Sequence, residues 1–174
     1  MIQKWSRYAL LQLFFDFPRK DFLIRELSRD AKLAASAVRI HLKELMADGL
    51  ILKEKKGLYP TFSANSENDT FKLLKAQNLV LRLHGIGAID TIEKSLYPGC
   101  MVLFGSSSRG EDRENSDVDV FVQSKSAPIN MSSFEKKINR KINIIFEPDL
   151  KTLSPQLLNN LANGIVLYGY LKVV

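Results

Sequence analysis

The run GSSSRGEDRENSDVDVFV, Gly105–Val122, joins a Gly-Ser turn to two carboxylates, Asp117 and Asp119, set among valines. An apolar run, CMVLF at Cys100–Phe104, leads into it. In a strand, residues two apart share a face, so the two carboxylates converge while Val118, Val120 and Val122 pack on the other side. Two like charges this close are unfavourable unless a cation bridges them. Mg²⁺ is held by one or two carboxylates together with substrate phosphates, so the pattern points to a metal-bound nucleoside triphosphate. Gly105 lets the backbone approach a phosphate, and Ser106 adds a hydroxyl donor. A helix starting at Ser106 would turn its free N–H groups toward the same anion. Arg109 is a candidate to clamp a phosphate or contact the acceptor. Gly-Ser turns and Asp-x-Asp are each common; their combination, at a fixed gap between two apolar strands, carries the weight.

Working outward, the pattern predicts strands at Met101–Phe104, Asp117–Val122 and Ile142–Phe146. Ser132-Ser133-Phe134-Glu135 reads as a capping box opening a helix that runs to about Arg140. A last helix at Pro155–Leu161 and a short strand at Ile165–Tyr168 complete an α/β domain over 99–174.

LFGSSSRGEDRENSDVDVFV resembles the minimal nucleotidyltransferases of the DNA-polymerase-β superfamily, whose pattern is Gly-Ser, ten residues, then Asp-x-Asp; the tail NNLANGIVLYGYL is similar to the end of that family. The resemblance implies a small mixed sheet, with Gly105 and Ser106 holding the nucleotide phosphates and Asp117 and Asp119 as catalytic Mg²⁺ ligands. It also implies two ions in an active site and an NTP, with ATP expected, as donor or ligand. Some members transfer AMP to a HEPN-type toxin. Active members carry a third carboxylate on the following strand, here KINIIFEP. The aligned position is Asn143, which brings no negative charge. Glu147 at the strand end is a substitute candidate and Glu135 a more remote one. This departure leaves the general base and one metal ligand unassigned.

Upstream, residues 2–15 read as a first helix ended by Pro18, Phe22–Asp30 as a second, and 35–48 as a third closed by Gly49. Leu50–Lys53 and Tyr59–Ser63 read as two strands around a basic turn. The segment LIRELSRDAKLAASAVRIHLKELMADGLILKEKKGLYPTF resembles the winged helix-turn-helix domains of prokaryotic transcription regulators across about forty residues. Its fusion to a nucleotidyltransferase is of the kind found in archaea. On a helical wheel, Val38, Leu42 and Leu45 form one stripe, and Ser36, Arg39, Ile40 and Lys43 lie opposite. Arg39 can pair bidentately with guanine, and Ser36 can reach a base or a phosphate. Arg25, Arg29 and Lys32 flank this face, and Lys53, Lys55 and Lys56 belong to the wing; these would mainly contact phosphate. His41, at the edge of the stripe, reads as a packing residue.

Charge distribution agrees. The net charge is +6, and residues 1–65 hold 12 Lys/Arg against 7 Asp/Glu, while 66–98 and 99–174 are near neutral. The expected organisation is therefore a DNA-binding domain at 1–65, a helical connector at 66–98 and a nucleotidyltransferase-like domain at 99–174. The apolar run Tyr8–Phe15 is followed by charge, not by a small-residue cleavage site, and reads as a core helix and not a signal peptide. No run reaches the ~18 apolar residues of a membrane span. The single cysteine, Cys100, excludes an internal disulfide and fits a reducing cytoplasm.

Two functional classes follow. One is a cytoplasmic protein that binds double-stranded DNA and transfers a nucleoside monophosphate to a protein or small molecule. The other is a transcription regulator whose second domain binds a nucleotide or a partner, antitoxin-like pairing with a toxin included. A homodimer is expected, since winged-helix readers commonly bind two half-sites, with Trp5, Tyr8, Phe15 or the connector as its interface.

Overall fold

The computed structural model describes residues 5–55 and 57–172. The chain divides into two compact units, Met1–Lys75 and Ala76–Val174.

The first unit contains helices α1 (Ser6–Asp16), α2 (Ile24–Ala31) and α3 (Ala35–Ala47), then an antiparallel hairpin of β1 (Ile51–Glu54) and β2 (Thr61–Ala64). α2 starts later than its apolar pattern predicts. Phe22 instead exchanges both backbone hydrogen bonds with Phe62, at 2.8 and 2.9 Å. The Leu23 amide then donates to Glu26 Oε2 at 2.8 Å, the reach-back half of a capping box. Between α2 and α3 the chain turns through Lys32, in the left-handed region at φ 56°. Ser28 staples this turn: its hydroxyl donates to the Leu33 carbonyl at 2.5 Å, and the Leu33 amide returns a bond to the Ser28 carbonyl at 3.0 Å. α3 is closed two residues on by Gly49, whose φ of 71° lets the Leu50 amide reach back to the Leu45 carbonyl.

Phe14 and Phe22 meet edge to face at 5.3 Å in the core of this unit, beside Leu27, Val38, Leu42 and Leu45. Burying each such side chain stabilises by roughly 1.5–3 kcal/mol. Helix α4 (Asp69–Gly85) contributes Phe71, whose ring meets that of Phe15 at a tilt, with 5.1 Å between centroids.

The segment expected as a connector is shared between the units. Phe71 and Leu74 pack with the first core; Leu79 and Leu83, with Ala88, Ile89 and Ile92 of α5 (Ala88–Leu96), pack with the second. The apolar stripe of 66–98 belongs to two cores and forms no layer of its own.

The second unit is built on a four-stranded sheet in the order β5-β4-β3-β6: β3 (Cys100–Phe104), β4 (Val118–Val122), β5 (Ile142–Phe146) and β6 (Ile165–Gly169). β3 runs antiparallel to both neighbours, and β4 and β5 run parallel, joined through α7 (Ser132–Ile138). The sheet is therefore small and mixed, as expected. One face, with Met101, Leu103, Val118, Val120 and Val122, packs on α5, α7 and the end of α4. The other, with Cys100, Val102, Phe104 and Phe121, packs on a 3₁₀ turn (Leu150–Thr152) and helix α8 (Pro155–Ala162). β3 is buried on both faces, which is why CMVLF reads as an unbroken apolar run.

The expected capping box at Ser132 does not form. The Ser132 amide bonds the Asn130 side chain at 3.0 Å, and Glu135 reaches across to accept from the Ile142 amide at 2.9 Å. No helix among the described residues is long and apolar enough to cross a membrane.

Candidate functional site

The Gly-Ser turn and the Asp-x-Asp pair come together through strand register. Phe104, the last residue of β3, lies opposite Asp119 of β4, so the turn that follows Phe104 opens beside the carboxylate. Gly105 and Ser106 begin a four-residue helical turn, α6 (Gly105–Ser108). Gly105 adopts φ 73°, and a Cβ there would lie 2.9 Å from Asp119 Oδ2. This position is closed to a side chain on two counts, conformation and space. Oδ2 of Asp119 is consequently left open toward the turn.

Asp119 shares its face with Phe121 and alternates with buried Val118 and Val120. Asp117 precedes the strand, which begins at Val118 and not at Asp117 as expected, and it is exposed. Its backbone carbonyl is held in place by Ser107 Oγ at 3.3 Å and Arg140 Nη2 at 3.2 Å.

Arg140 is the residue that sequence reasoning missed. Its guanidinium donates to Asp112 Oδ2 at 2.7 Å, Ser107 Oγ at 2.8 Å and the Ser116 carbonyl at 2.9 Å, besides Asp117. The Arg140 and Asp112 side chains are 11% and 5% exposed. One arginine thus ties α6, the loop and the approach to β4 into a single network. Nothing in GEDRENSD marks which of its acidic residues turns inward. Arg109, the arginine that the sequence did single out, is exposed and pairs with Glu111 at 2.7 Å. An exposed pair of this kind is worth about 0–1 kcal/mol and exchanges readily for another anion.

The β4–β5 register places the three residues considered for a third carboxylate. Asn143 lies opposite Asp119, and its Nδ2 donates to Asp119 Oδ1 at 3.0 Å. Glu147 is not brought beside Asp119. It follows Phe146, which pairs with Val122, so it stands four residues along the strand from Asn143, roughly 13 Å at strand rise; its Oε1 caps the Asp149 amide. Glu135 is excluded by facing. It lines a groove of about 740 Å³ with Ile142, Ile144 and Phe146, which alternate with Asn143 and so occupy the opposite face of β5. Among the described residues, no group of three or more His, Cys, Asp or Glu side chains is placed to hold a metal ion.

In the first unit, α3 buries Val38, Leu42 and Leu45 and leaves Ser36, Arg39, Ile40 and Lys43 exposed. Arg25 and Arg39 line one cleft of about 680 Å³ together with Ser28, Tyr59 and Pro60, so α2, α3 and the hairpin meet there. Lys32, Lys53 and Lys55 are exposed, whereas Arg29 is engaged with its neighbour Asp30 at 2.8 Å. Lys56 lies outside the described residues. His41 is half-buried, and its Nδ1 lies 3.1 Å from Glu44 Oε2. The hairpin also exposes two large apolar side chains, Leu58 and Tyr59, which the charge-based reading passed over.

The family model described as Polymerase beta, Nucleotidyltransferase matches residues 88–170. The matched segment runs from α5 through β6 and includes the Gly-Ser turn, both aspartates and Asn143, so a nucleotidyltransferase domain of that family is supported there. Neither a curated protein nor a solved structure matches the chain.

Proposed function

We propose that this chain is a DNA-binding protein whose second unit transfers a nucleoside monophosphate from an NTP, with ATP the expected donor, to a protein or small-molecule acceptor. The observation that carries the reading is the approach of Gly105 to Asp119, which leaves a carboxylate oxygen open beside a turn without a side chain. Asp117 and Asp119 would hold Mg²⁺, and the bound ion would neutralise charge on the triphosphate. Gly105 and Ser106 would line the phosphates, and Arg109, released from Glu111, would clamp them. The exposed basic residues of α2, α3 and the hairpin would bind double-stranded DNA in the manner of a winged helix, as a homodimer in the cytoplasm.

Asn143 favours a second reading, in which the domain binds nucleotide or a toxin-like partner and transfers slowly or not at all. Incubation with Mg²⁺ and labelled NTPs separates the two. Transfer to an added acceptor or to the chain itself is expected for the wild type and not for Asp117→Asn/Asp119→Asn. Equal background from both proteins would remove the transferase reading.

A further inference from the structure

Granted the nucleotide site proposed above, we propose that Asn143 makes it a single-cation site, acting as a positioning residue for Asp119. Parallel pairing of β4 and β5 sets Asn143 directly beside Asp119, with Nδ2 3.0 Å from Oδ1. The amide orientation follows from its neighbour: turned the other way, it would set its carbonyl oxygen against the carboxylate. The two oxygens of Asp119 thereby acquire different roles. Oδ1 is occupied by an N–H donor, and Oδ2 faces the space left by Gly105.

A second ion would need a further carboxylate at this place, as a ligand and to offset its charge. Here a second ion would have to displace the amide hydrogen from Oδ1. It would gain a neutral oxygen at best, and the protein would supply only two negative charges toward four positive ones, leaving the rest to the triphosphate. Glu147 and Glu135 bring no further charge to this place, the first lying along the strand and the second on the opposite face. Asp117 and Asp119 with the triphosphate oxygens suffice for one Mg²⁺. The side chain at 143 therefore sets the number of ions.

The test is Mn²⁺ bound per protein–nucleotide complex, with the full chain and a non-hydrolysable ATP analogue, read by calorimetry and by electron paramagnetic resonance. The wild type is expected to bind one ion with an uncoupled spectrum. Asn143→Asp should bind two, with the spin-coupled signal of a pair about 3.5–4 Å apart. Asn143→Ala, which removes the donor and adds no charge, should stay at one. Two ions on the wild type, or one on Asn143→Asp, would overturn the single-cation proposal and leave the nucleotide site standing. No ion on the wild type, matching Asp117→Asn/Asp119→Asn, would overturn both.

Discussion

Gly105 and Asp119 are in such close register that a single added methyl group would stand 2.9 Å from the carboxylate. Gly105→Ala therefore combines two penalties. The left-handed backbone costs a non-glycine residue about 1–2 kcal/mol, and the Asp119 carboxylate must turn away from the space it now faces. The expected outcome is a modestly lowered melting temperature with Mg²⁺-dependent ATP affinity reduced tenfold or more, measured by titration with a fluorescent ATP analogue. Undiminished affinity would mean that nucleotide does not use this opening.

The Arg140–Asp112 pair supports the same region. Both side chains are mostly buried, and Arg140 also holds Ser107 and the carbonyls of Ser116 and Asp117. Removing one partner of a buried pair typically costs 3–5 kcal/mol, because the other charge is stranded. Arg140→Ala should cost about that much in denaturant unfolding of the second unit. Arg140→Lys should recover little of it, since an ammonium cannot reproduce a planar fork reaching four oxygens. A near-neutral Arg140→Ala would show that the loop is held by other contacts.

Local pattern and long-range pairing explain what the sequence makes legible here. The β3 run, the alternation of β4 and the Gly-Ser turn are local, and each is found within one residue of where a short window puts it. Asn143 is also legible, because the strand after Asp-x-Asp is where a third carboxylate would be sought. The Asp112–Arg140 network spans 28 residues, and Phe22–Phe62 spans 40, so neither leaves a periodic trace. Glu135 sits where a capping box would place it, yet the edge of β5 competes for its carboxylate and wins. The stripe over 66–98 is continuous in sequence but is divided between two cores, which no window reveals.

Cys100 is fully buried in β3, and burial pushes its thiol pKa up. In the folded chain the neutral thiol persists to higher pH, whereas an unfolded cysteine ionises at about 8.5. The stabilising contribution is thus complete below the unfolded value and is lost as pH rises above it toward the folded one. Between pH 8 and 10 the denaturant midpoint of the wild type should fall more steeply than that of Cys100→Ala. A thiol-specific reagent should modify the native protein slowly and the denatured protein at once. Rapid native modification would contradict the burial.

The exposed face of α3 gives the prediction for the first unit. Arg39 and Lys43 stand out from the buried Val38–Leu42–Leu45 stripe, and Arg39 shares its cleft with Arg25 and Tyr59. If this face meets DNA, each phosphate contact removed lowers the slope of log affinity against log salt by about 0.9. Loss of a bidentate arginine–guanine contact costs a further 1–3 kcal/mol or so, in discrimination between sequences. Lys43→Ala should weaken binding to all duplexes alike and flatten the salt slope by about one. Arg39→Ala should weaken binding most on the preferred duplex, found by selection from a random pool. Fluorescence anisotropy over 50–200 mM salt measures both effects. An unchanged slope in the combined variant Arg39→Ala/Lys43→Ala would move the DNA interface off α3 and onto the exposed hairpin, where Lys53 and Lys55 would be the next residues to replace.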